Sequence, residues 1–196
     1  MNMTAVTVYY DNVFKCEAVN ISPGQFYVTD QDILIGTTLG SCVAACIRDR
    51  VNGIGGMNHF MLPSRGDGSN NPASESARYG AYAMELLVNQ VIKMGALRKN
   101  LEAKVFGGGN VSQTYTTLNI GENNVRFVRE YLRNEEIIIT SEDIAEFQGR
   151  KVYFFPRTGK VLVKKLAIVT PSILNSERGY AEPLKSAILT DEIDLF

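Results

Sequence analysis

The stretch GTTLGSCVAACIRDRVNGIGGMNHFML, residues 36–62, contains the only histidine of the chain, His59, together with Cys42 and Cys46. A thiol beside an imidazole forms a nucleophile and base pair, because the imidazolium lowers the thiol pKa and the thiolate attacks an electrophilic carbon. The imidazole can then protonate the leaving group. Cys42 and His59 are therefore candidates for covalent catalysis. The alternative is structural, since free cysteine is among the most buried residue types.

The spacing of the two residues fits a β-hairpin. The segments CVAACIRD and IGGMNHFML are rich in apolar residues and flank the turn signal VNG. A turn centred just after Arg50 places Cys42 directly opposite His59, with Cβ atoms ~5 Å apart. A turn at residues 52–53 moves the two out of direct register, and a slip of one residue reverses the faces. The register thus decides whether they can meet.

Among the three cysteines, Cys42 has the position that suits a nucleophile. It follows the small residues Gly40 and Ser41, which let a substrate carbonyl approach the backbone, and its own N–H can serve as an oxyanion donor. Cys46 lies ~13 Å further along the same strand face, too far to share the chemistry. Cys16 is assigned no role. An odd number of cysteines with one histidine fits neither a disulfide framework nor a zinc site, so no metal or cofactor is expected.

The pattern along the chain predicts an α+β fold, a layered α/β sandwich of mostly antiparallel strands with two main helices. Strands are predicted at residues 6–10, 25–28, 32–38, 42–49, 54–62, 101–106, 137–140, 152–155 and 161–166. An exposed polar loop at 64–76 leads into a helix that begins at Ser74 or Ser76 and runs to about Met94. A second helix is predicted at residues 122–134. The glycines of FGGGN, residues 106–110, indicate a tight backbone approach near the site more than a nucleotide loop, because the lysine of such loops is missing.

The 196 residues are enough for one domain with a sizeable core. We predict a single catalytic domain over residues 1–170 and a peripheral or mobile C-terminal tail over 171–196. The last residues, DEIDLF, could dock on a partner or cover the domain's own surface.

Composition excludes several functional classes. A formal net charge of −1 gives no electrostatic reason to expect nucleic acid or an anionic membrane as a partner. The chain has no apolar run of about eighteen residues, and its N-terminus lacks the pattern of a secretory signal. We therefore expect a cytoplasmic protein that does not insert into membranes.

The order of motifs resembles the CheD family of chemoreceptor glutamine deamidases. The resemblance begins with a PG turn in ISPGQFYV and continues through a threonine-rich approach to LGSCV and then GGMNHFMLP. It extends through RYGAYAMELL, LEAKVFGGGNV, NIGENNV and TGKVLVKKL. It covers the chain from about Ile21 to Leu166, which is far more specific than one cysteine and one histidine.

The resemblance implies a cytoplasmic enzyme that hydrolyses glutamine side-chain amides on methyl-accepting chemotaxis receptors. It implies a fold related to the catalytic domain of the cytotoxic necrotizing factor toxins, with Cys42 as nucleophile and His59 as general base. The family's third catalytic group is a threonine, in some members six residues before the cysteine, where this chain has Gly36. Alternation lets only one of Thr37 and Thr38 face the site, and Thr37 is the predicted residue.

Two other functions stay open at this point. The family also binds receptors and a CheC-type phosphatase, so the protein could act as a non-catalytic binding regulator of either. The same cysteine and histidine would also serve a thiol protease or a transglutaminase. We expect a monomer whose protein substrate is the chemotaxis receptor.

Overall fold

The computed structural model describes residues 6–62, 75–110, 120–167 and 171–190. The predicted polar loop at 64–76 and the terminal DEIDLF lie largely or wholly outside these residues. The described strands are β1 (Val8–Asp11), β2 (Cys16–Asn20), β3 (Phe26–Thr29), β4 (Leu34–Leu39), β5 (Val43–Asp49), β6 (Gly55–Asn58), β7 (Leu101–Gly107), β8 (Ile138–Ile144), β9 (Gly149–Phe155) and β10 (Lys160–Leu166). The described helices are α1 (Glu75–Lys93), α2 (Ile120–Asn134) and α3 (Pro171–Thr190).

The strands form two five-stranded sheets. Sheet 1 has the order β1-β2-β4-β9-β10, and sheet 2 has the order β3-β6-β5-β7-β8. Neighbouring strands are antiparallel except for the parallel pairs β2–β4 and β7–β8. The predicted α+β class with mostly antiparallel strands is confirmed, but β2 was not predicted and the described residues contain three long helices, where two were expected. Within the described part of the chain, no helix is long and apolar enough to cross a membrane.

Two apolar layers hold the fold together. The helix-side core lies between sheet 2 and helices α1 and α2, and the inter-sheet core lies between the two sheets. Both helices bury one apolar face in the helix-side core, at Ala83, Leu87 and Val91 in α1 and at Val125, Val128 and Leu132 in α2. The inter-sheet core contains Val19, Ile21, Ile33, Ile35, Leu39, Cys42, Ala44, Cys46, Met57, Met61, Phe106, Val152 and Phe154.

Strand β5 lies in the middle of this arrangement and is buried on both faces. Val43 and Ala45 pack into the helix-side core, while Ala44 and Cys46 pack into the inter-sheet core. A strand covered on both faces has a continuous apolar sequence, which is what CVAACI shows. The cysteines of this segment therefore face sheet 1 and not the helices.

The hairpin of β5 and β6 has neither of the two registers considered from the sequence. Val43 pairs with Phe60, so His59 lies opposite Ala44 and not opposite Cys42. His59 and Cys42 are then diagonal neighbours, which still share a face because side chains alternate. The expectation of a direct cross-strand pair was wrong, although the proximity of the two residues was right.

Asp49 sets this register. Its carboxylate accepts hydrogen bonds from the N–H groups of Val51 and Asn52, at 2.8 and 3.0 Å, and its own N–H donates to Ile54 O at 2.8 Å. The turn closes through Gly53, which has a φ of +69° that favours glycine. Burial raises the pKa of the Asp49 carboxyl, but the hydrogen bonds from the N–H groups of Leu97, Asn52 and Val51 outweigh it and hold that pKa at about 2. The hairpin is therefore centred between Val51 and Asn52, midway between the two turns considered from the sequence.

Candidate active site

The loop between β4 and β5 presents Cys42 at the edge of the inter-sheet core, where its side chain is fully buried. All three carbonyl groups of residues 40–42 are occupied on the far side of this loop. Gly109 N–H donates to Gly40 O at 2.8 Å, and Gly108 N–H donates to Cys42 O at 2.7 Å. Asn124 Nδ2, from α2, donates to Ser41 O at 2.9 Å. The N–H groups of residues 40–42 are thereby left to face the site.

The glycines after β7 allow this close backbone approach. Gly107 has a φ of +106°, and a Cβ placed there would lie 2.2 Å from Cys42 O. Gly108 has a φ of +65°, and its Cβ would lie 2.4 Å from Val125 Cγ2. The tight approach predicted for FGGGN is confirmed, and its purpose is to support the cysteine loop.

His59 follows β6 and is 1% exposed. Its Nδ1 lies 2.8 Å from Thr37 Oγ1, and that hydroxyl donates to Ile21 O at 2.8 Å. Because the single hydroxyl proton is used on Ile21, the hydroxyl accepts from Nδ1–H, which leaves the imidazole lone pair on Nε2. Among the described residues, Nε2 has no hydrogen-bond partner. The atom available to take a proton is therefore Nε2.

Thr37 reaches His59 because β4 alternates. Ile35 and Leu39 face the inter-sheet core, so Thr37 between them faces it too, and it is 2% exposed. Gly36 belongs to the opposite face, where a Cβ would lie 2.5 Å from Asn20 Oδ1. A threonine at position 36 would neither fit beside Asn20 nor point at the imidazole.

A third buried group, absent from the sequence prediction, meets the pair. The Cys42 sulfur, an imidazole nitrogen of His59 and a carboxylate oxygen of Glu177 lie within 4.8 Å of one another, and Glu177 is 5% exposed. Glu177 comes from α3, a helix that the sequence interpretation did not assign. These three are also the types that bind a transition metal. The carboxylate oxygens are, however, already engaged by protein donors.

The Glu177 carboxylate occupies an anion cradle, formed by the N–H groups of Gly40, Ser41 and Cys42 and the Ser41 hydroxyl. Oε1 accepts from Gly40 N at 2.8 Å and from Cys42 N at 3.1 Å. Oε2 accepts from Ser41 N at 3.1 Å and from Ser41 Oγ at 2.7 Å. Successive N–H groups that converge on one anion are the arrangement of an oxyanion hole.

Electrostatics in this closed arrangement favour neutral partners. Burial raises the pKa of the Cys42 thiol well above its ordinary value, and the charge of Glu177 and the hydrogen bond that the thiol donates to it raise the pKa further. Burial lowers the pKa of His59 to about 4, although Glu177 and the Ile21 carbonyl oppose the shift. At neutral pH the site therefore holds a neutral thiol and a neutral imidazole.

The other two cysteines lie apart from this cluster. Cys46 is 2% exposed in the inter-sheet core, where burial raises its pKa, so its thiol is inert. Cys16 is half-buried in β2.

The sequence analysis also did not identify Asn124, which supports the cysteine loop. A signal existed, because Asn124 is a polar residue beside Val125 on the inward face of the second predicted helix.

A buried thiol, an imidazole with a fixed tautomer and an anion cradle are together the groups that thiol-dependent acyl transfer requires. Comparison with known proteins gives the family. The family model described as CheD chemotactic sensory transduction matches residues 61–165. The chain belongs to the CheD family.

Curated relatives resemble the chain over nearly its full length. Three of them bear the name "Probable chemoreceptor glutamine deamidase CheD". The protein from Thiobacillus denitrificans is 58% identical over 98% of this chain and 96% of its own. That from Methylobacillus flagellatus is 57% identical over 98% and 96%, and that from Janthinobacterium sp. is 54% identical over 98% and 95%.

Replacing Thr37 with valine tests how His59 is held. Valine keeps the shape of the side chain but removes the acceptor for Nδ1–H. A buried N–H without an acceptor costs about 1–3 kcal/mol, which weakens the orientation of the imidazole. We therefore expect kcat to fall roughly ten- to a hundredfold, with little change in KM. Thr37→Ser keeps the hydroxyl and is expected to restore most of the rate. Steady-state ammonia release measures both variants, and an unchanged kcat in Thr37→Val would show that the hydroxyl does not orient the imidazole.

Proposed function

We propose that the protein is a chemoreceptor glutamine deamidase, which converts glutamine side chains of methyl-accepting chemotaxis receptors to glutamate. One observation carries the proposal: a glutamate side chain, the chemical product of that reaction, lies in the cradle beside Cys42 and His59. The names of the relatives support the receptor as substrate.

The geometry supports a part for each group in this reaction. Cys42 attacks the carboxamide carbon as a thiolate, after transfer of its proton to Nε2 of His59. The carbonyl oxygen becomes an oxyanion that takes the position of Glu177 Oε1. There it accepts hydrogen bonds from the N–H groups of Gly40 and Cys42. Ammonia leaves with the proton from His59. The imidazole then activates water, which hydrolyses the thioester to glutamate.

The second half of the cradle recognises the leaving group. Ser41 Oγ lies where Glu177 Oε2 accepts its proton at 2.7 Å. With a carboxamide in place, the same hydroxyl can rotate and accept from the amide NH2, since a hydroxyl both donates and accepts. Thr37 acts on the substrate only through His59 and is a positioning residue.

The test uses a purified receptor cytoplasmic fragment and the full-length protein. Wild type is expected to release ammonia and to raise the fragment mass by the difference between OH and NH2 at each modified glutamine, while Cys42→Ala does neither. Cys46→Ala is the matched control, because it removes a thiol from the same strand face outside the site. Peptide-bond cleavage or amine incorporation would point to a protease or a transglutaminase. Equal mass change with wild type and Cys42→Ala would refute the proposal.

Several narrower points stay predictions from the sequence. They are docking on a CheC-type phosphatase, a monomeric state, a cytoplasmic location, the relation to the toxin deamidases, and a catalytic domain that ends near residue 170.

A further inference from the structure

Helix α3 closes the site that the proposed reaction needs. Cys42 is fully buried and His59 is 1% exposed, so a side chain from another protein cannot reach them in this arrangement. The group beside them is the Glu177 carboxylate, which accepts hydrogen bonds from all four donors of the anion cradle. A substrate glutamine needs those same donors, so substrate and α3 exclude each other.

We propose that α3 is an internal product mimic: it holds Glu177 where the substrate glutamine is converted, and a receptor segment must displace it before turnover. The proposal rests on the proposed function, because it takes a glutamine side chain as the substrate. It adds that the resting enzyme is autoinhibited by its own C-terminal helix.

A narrow stripe attaches α3 to the domain. Ile173, Glu177 and Tyr180 recur at helical spacing on one face, with Ile173 and Glu177 buried. The Tyr180 ring lies against Gly24, and its hydroxyl contacts that of Tyr79. The rest of the described surface between residues 175 and 183 is largely exposed. Tyr180 and Ala181, both partly buried, pack against the inter-sheet core. Release of α3 therefore uncovers part of that core and leaves the buried residues of the sheets in place.

The charge of Glu177 also suppresses the chemistry. It raises the pKa of the Cys42 thiol beyond the effect of burial alone, so the closed enzyme holds little thiolate. Release of α3 would therefore expose the nucleophile and make the thiolate easier to form. Both effects act in the direction of activation.

The cradle suits a carboxylate better than a carboxamide. Each Glu177 oxygen accepts two hydrogen bonds from the cradle, whereas a glutamine has one oxygen and would turn its NH2 towards Ser41 N–H. A glutamine at position 177 would thus hold α3 less firmly. With its oxygen on Gly40 and Cys42, it would also present its carbonyl carbon to the Cys42 thiol.

Thiol alkylation tests the closure without any receptor. The full chain is treated with iodoacetamide, and peptide mass spectrometry follows modification at each cysteine. Glu177→Ala is expected to alkylate at Cys42 on the order of ten- to a hundredfold faster than wild type, because the charged hydrogen bonds that hold α3 are gone. Glu182→Ala, an exposed glutamate on the same helix, is expected to match wild type. Equal rates in wild type and Glu177→Ala would overturn the proposal.

Two controls separate release of α3 from loss of the fold. Cys46 reports on the fold, since it stays slow to alkylate as long as the inter-sheet core is intact. If Glu177→Ala exposes Cys46 as well, Tyr180→Ala supplies the test, because it loosens α3 outside the cradle. Faster Cys42 alkylation with a protected Cys46 supports the proposal, and a wild-type rate at Cys42 overturns it.

Glu177→Gln gives a second readout, because it makes α3 a substrate in cis. Cys42 attacks the side-chain carbon of the new glutamine and releases ammonia with a proton from His59, and water then hydrolyses the thioester, which restores glutamate. Conversion that disappears in the double variant with Cys42→Ala supports the product-mimic position. Failure to convert, with Cys42 alkylation at the wild-type rate, overturns it. Failure to convert with fast alkylation shows that α3 has been released, as the proposal requires.

The receptor assay separates this proposal from the function on which it rests. Deamidation by wild type that does not increase in Glu177→Ala would leave the function standing and remove the autoinhibition. Fast alkylation of Glu177→Ala without receptor deamidation by either protein would establish the closure and refute the proposed substrate.

Discussion

Replacing His59 with glutamine is expected to lower the rate of receptor deamidation by roughly 10²–10⁴-fold, the usual contribution of general acid and base catalysis. Nε2 is the one imidazole nitrogen left without a hydrogen-bond partner among the described residues, and the imidazole lies beside Cys42 and Glu177. Glutamine fills much of the space and remains polar, but it cannot carry a proton between the thiol and the leaving ammonia. Ammonia release at saturating receptor fragment measures the effect, and a rate equal to wild type would contradict the role.

The same variant has a stability readout that does not depend on activity. His59 is the only histidine, and burial lowers its pKa from 6.5 to about 4. Between these values the unfolded chain binds the proton and the folded one does not. Wild-type stability therefore falls as the pH drops through this window, by about 1.4 kcal/mol per pH unit from this group, and the loss ends below the folded pKa.

His59→Gln lacks the pH-dependent contribution that the buried imidazole makes to stability. The free energy of unfolding of the variant should consequently fall less steeply between pH 6.5 and 4 than that of wild type, as measured by urea denaturation at several pH values. Parallel curves for the two proteins would show that the imidazole is not held neutral by burial.

Cys42, His59 and Thr37 lie close together, as the sequence predicted, because the signals for their positions are local. Alternation along one strand meant that only one of Thr37 and Thr38 could face the site, and the structure places the hydroxyl of Thr37, the predicted residue, against the imidazole. The turn register was not recoverable in the same way. It depends on how the Asp49 carboxylate gathers the N–H groups of the turn, a geometry that the letters VNG do not specify.

Two elements escaped prediction for different reasons. Strand β2, CEAVN, is short and mixed in polarity, and it is a strand because β1 and β4 pair with it on either side. Helix α3 contains Pro183 and a weak apolar stripe, so its pattern did not stand out. Its principal contact joins Glu177 to Gly40, Ser41 and Cys42 across more than 130 positions of sequence. An acidic residue on a weakly patterned segment predicts a solvated surface, and only the tertiary fold places it in the site.

Gly107→Ala is expected to be the most damaging change among the described glycines that support the site. The residue has a φ of +106°, which costs an alanine about 1–3 kcal/mol in backbone strain. Its new Cβ would also lie 2.2 Å from Cys42 O, and relieving that overlap costs roughly a further 1–3 kcal/mol. The overlap can be relieved only by moving β7 away from the cysteine loop, so activity should fall along with stability.

Gly95→Ala separates the two effects, because Gly95 has nearly the same φ, +107°, but its Cβ would meet nothing closer than Ile54 Cδ1 at 3.7 Å. It should carry the strain of about 1–3 kcal/mol alone and leave deamidation intact. Urea denaturation and ammonia release on the pair therefore distinguish backbone strain from displacement of the nucleophile. Equal losses of stability in the two variants, with equal activity, would show that the cysteine loop does not depend on the close approach of Gly107. A larger loss in Gly107→Ala, accompanied by faster Cys42 alkylation, would show that β7 positions the nucleophile.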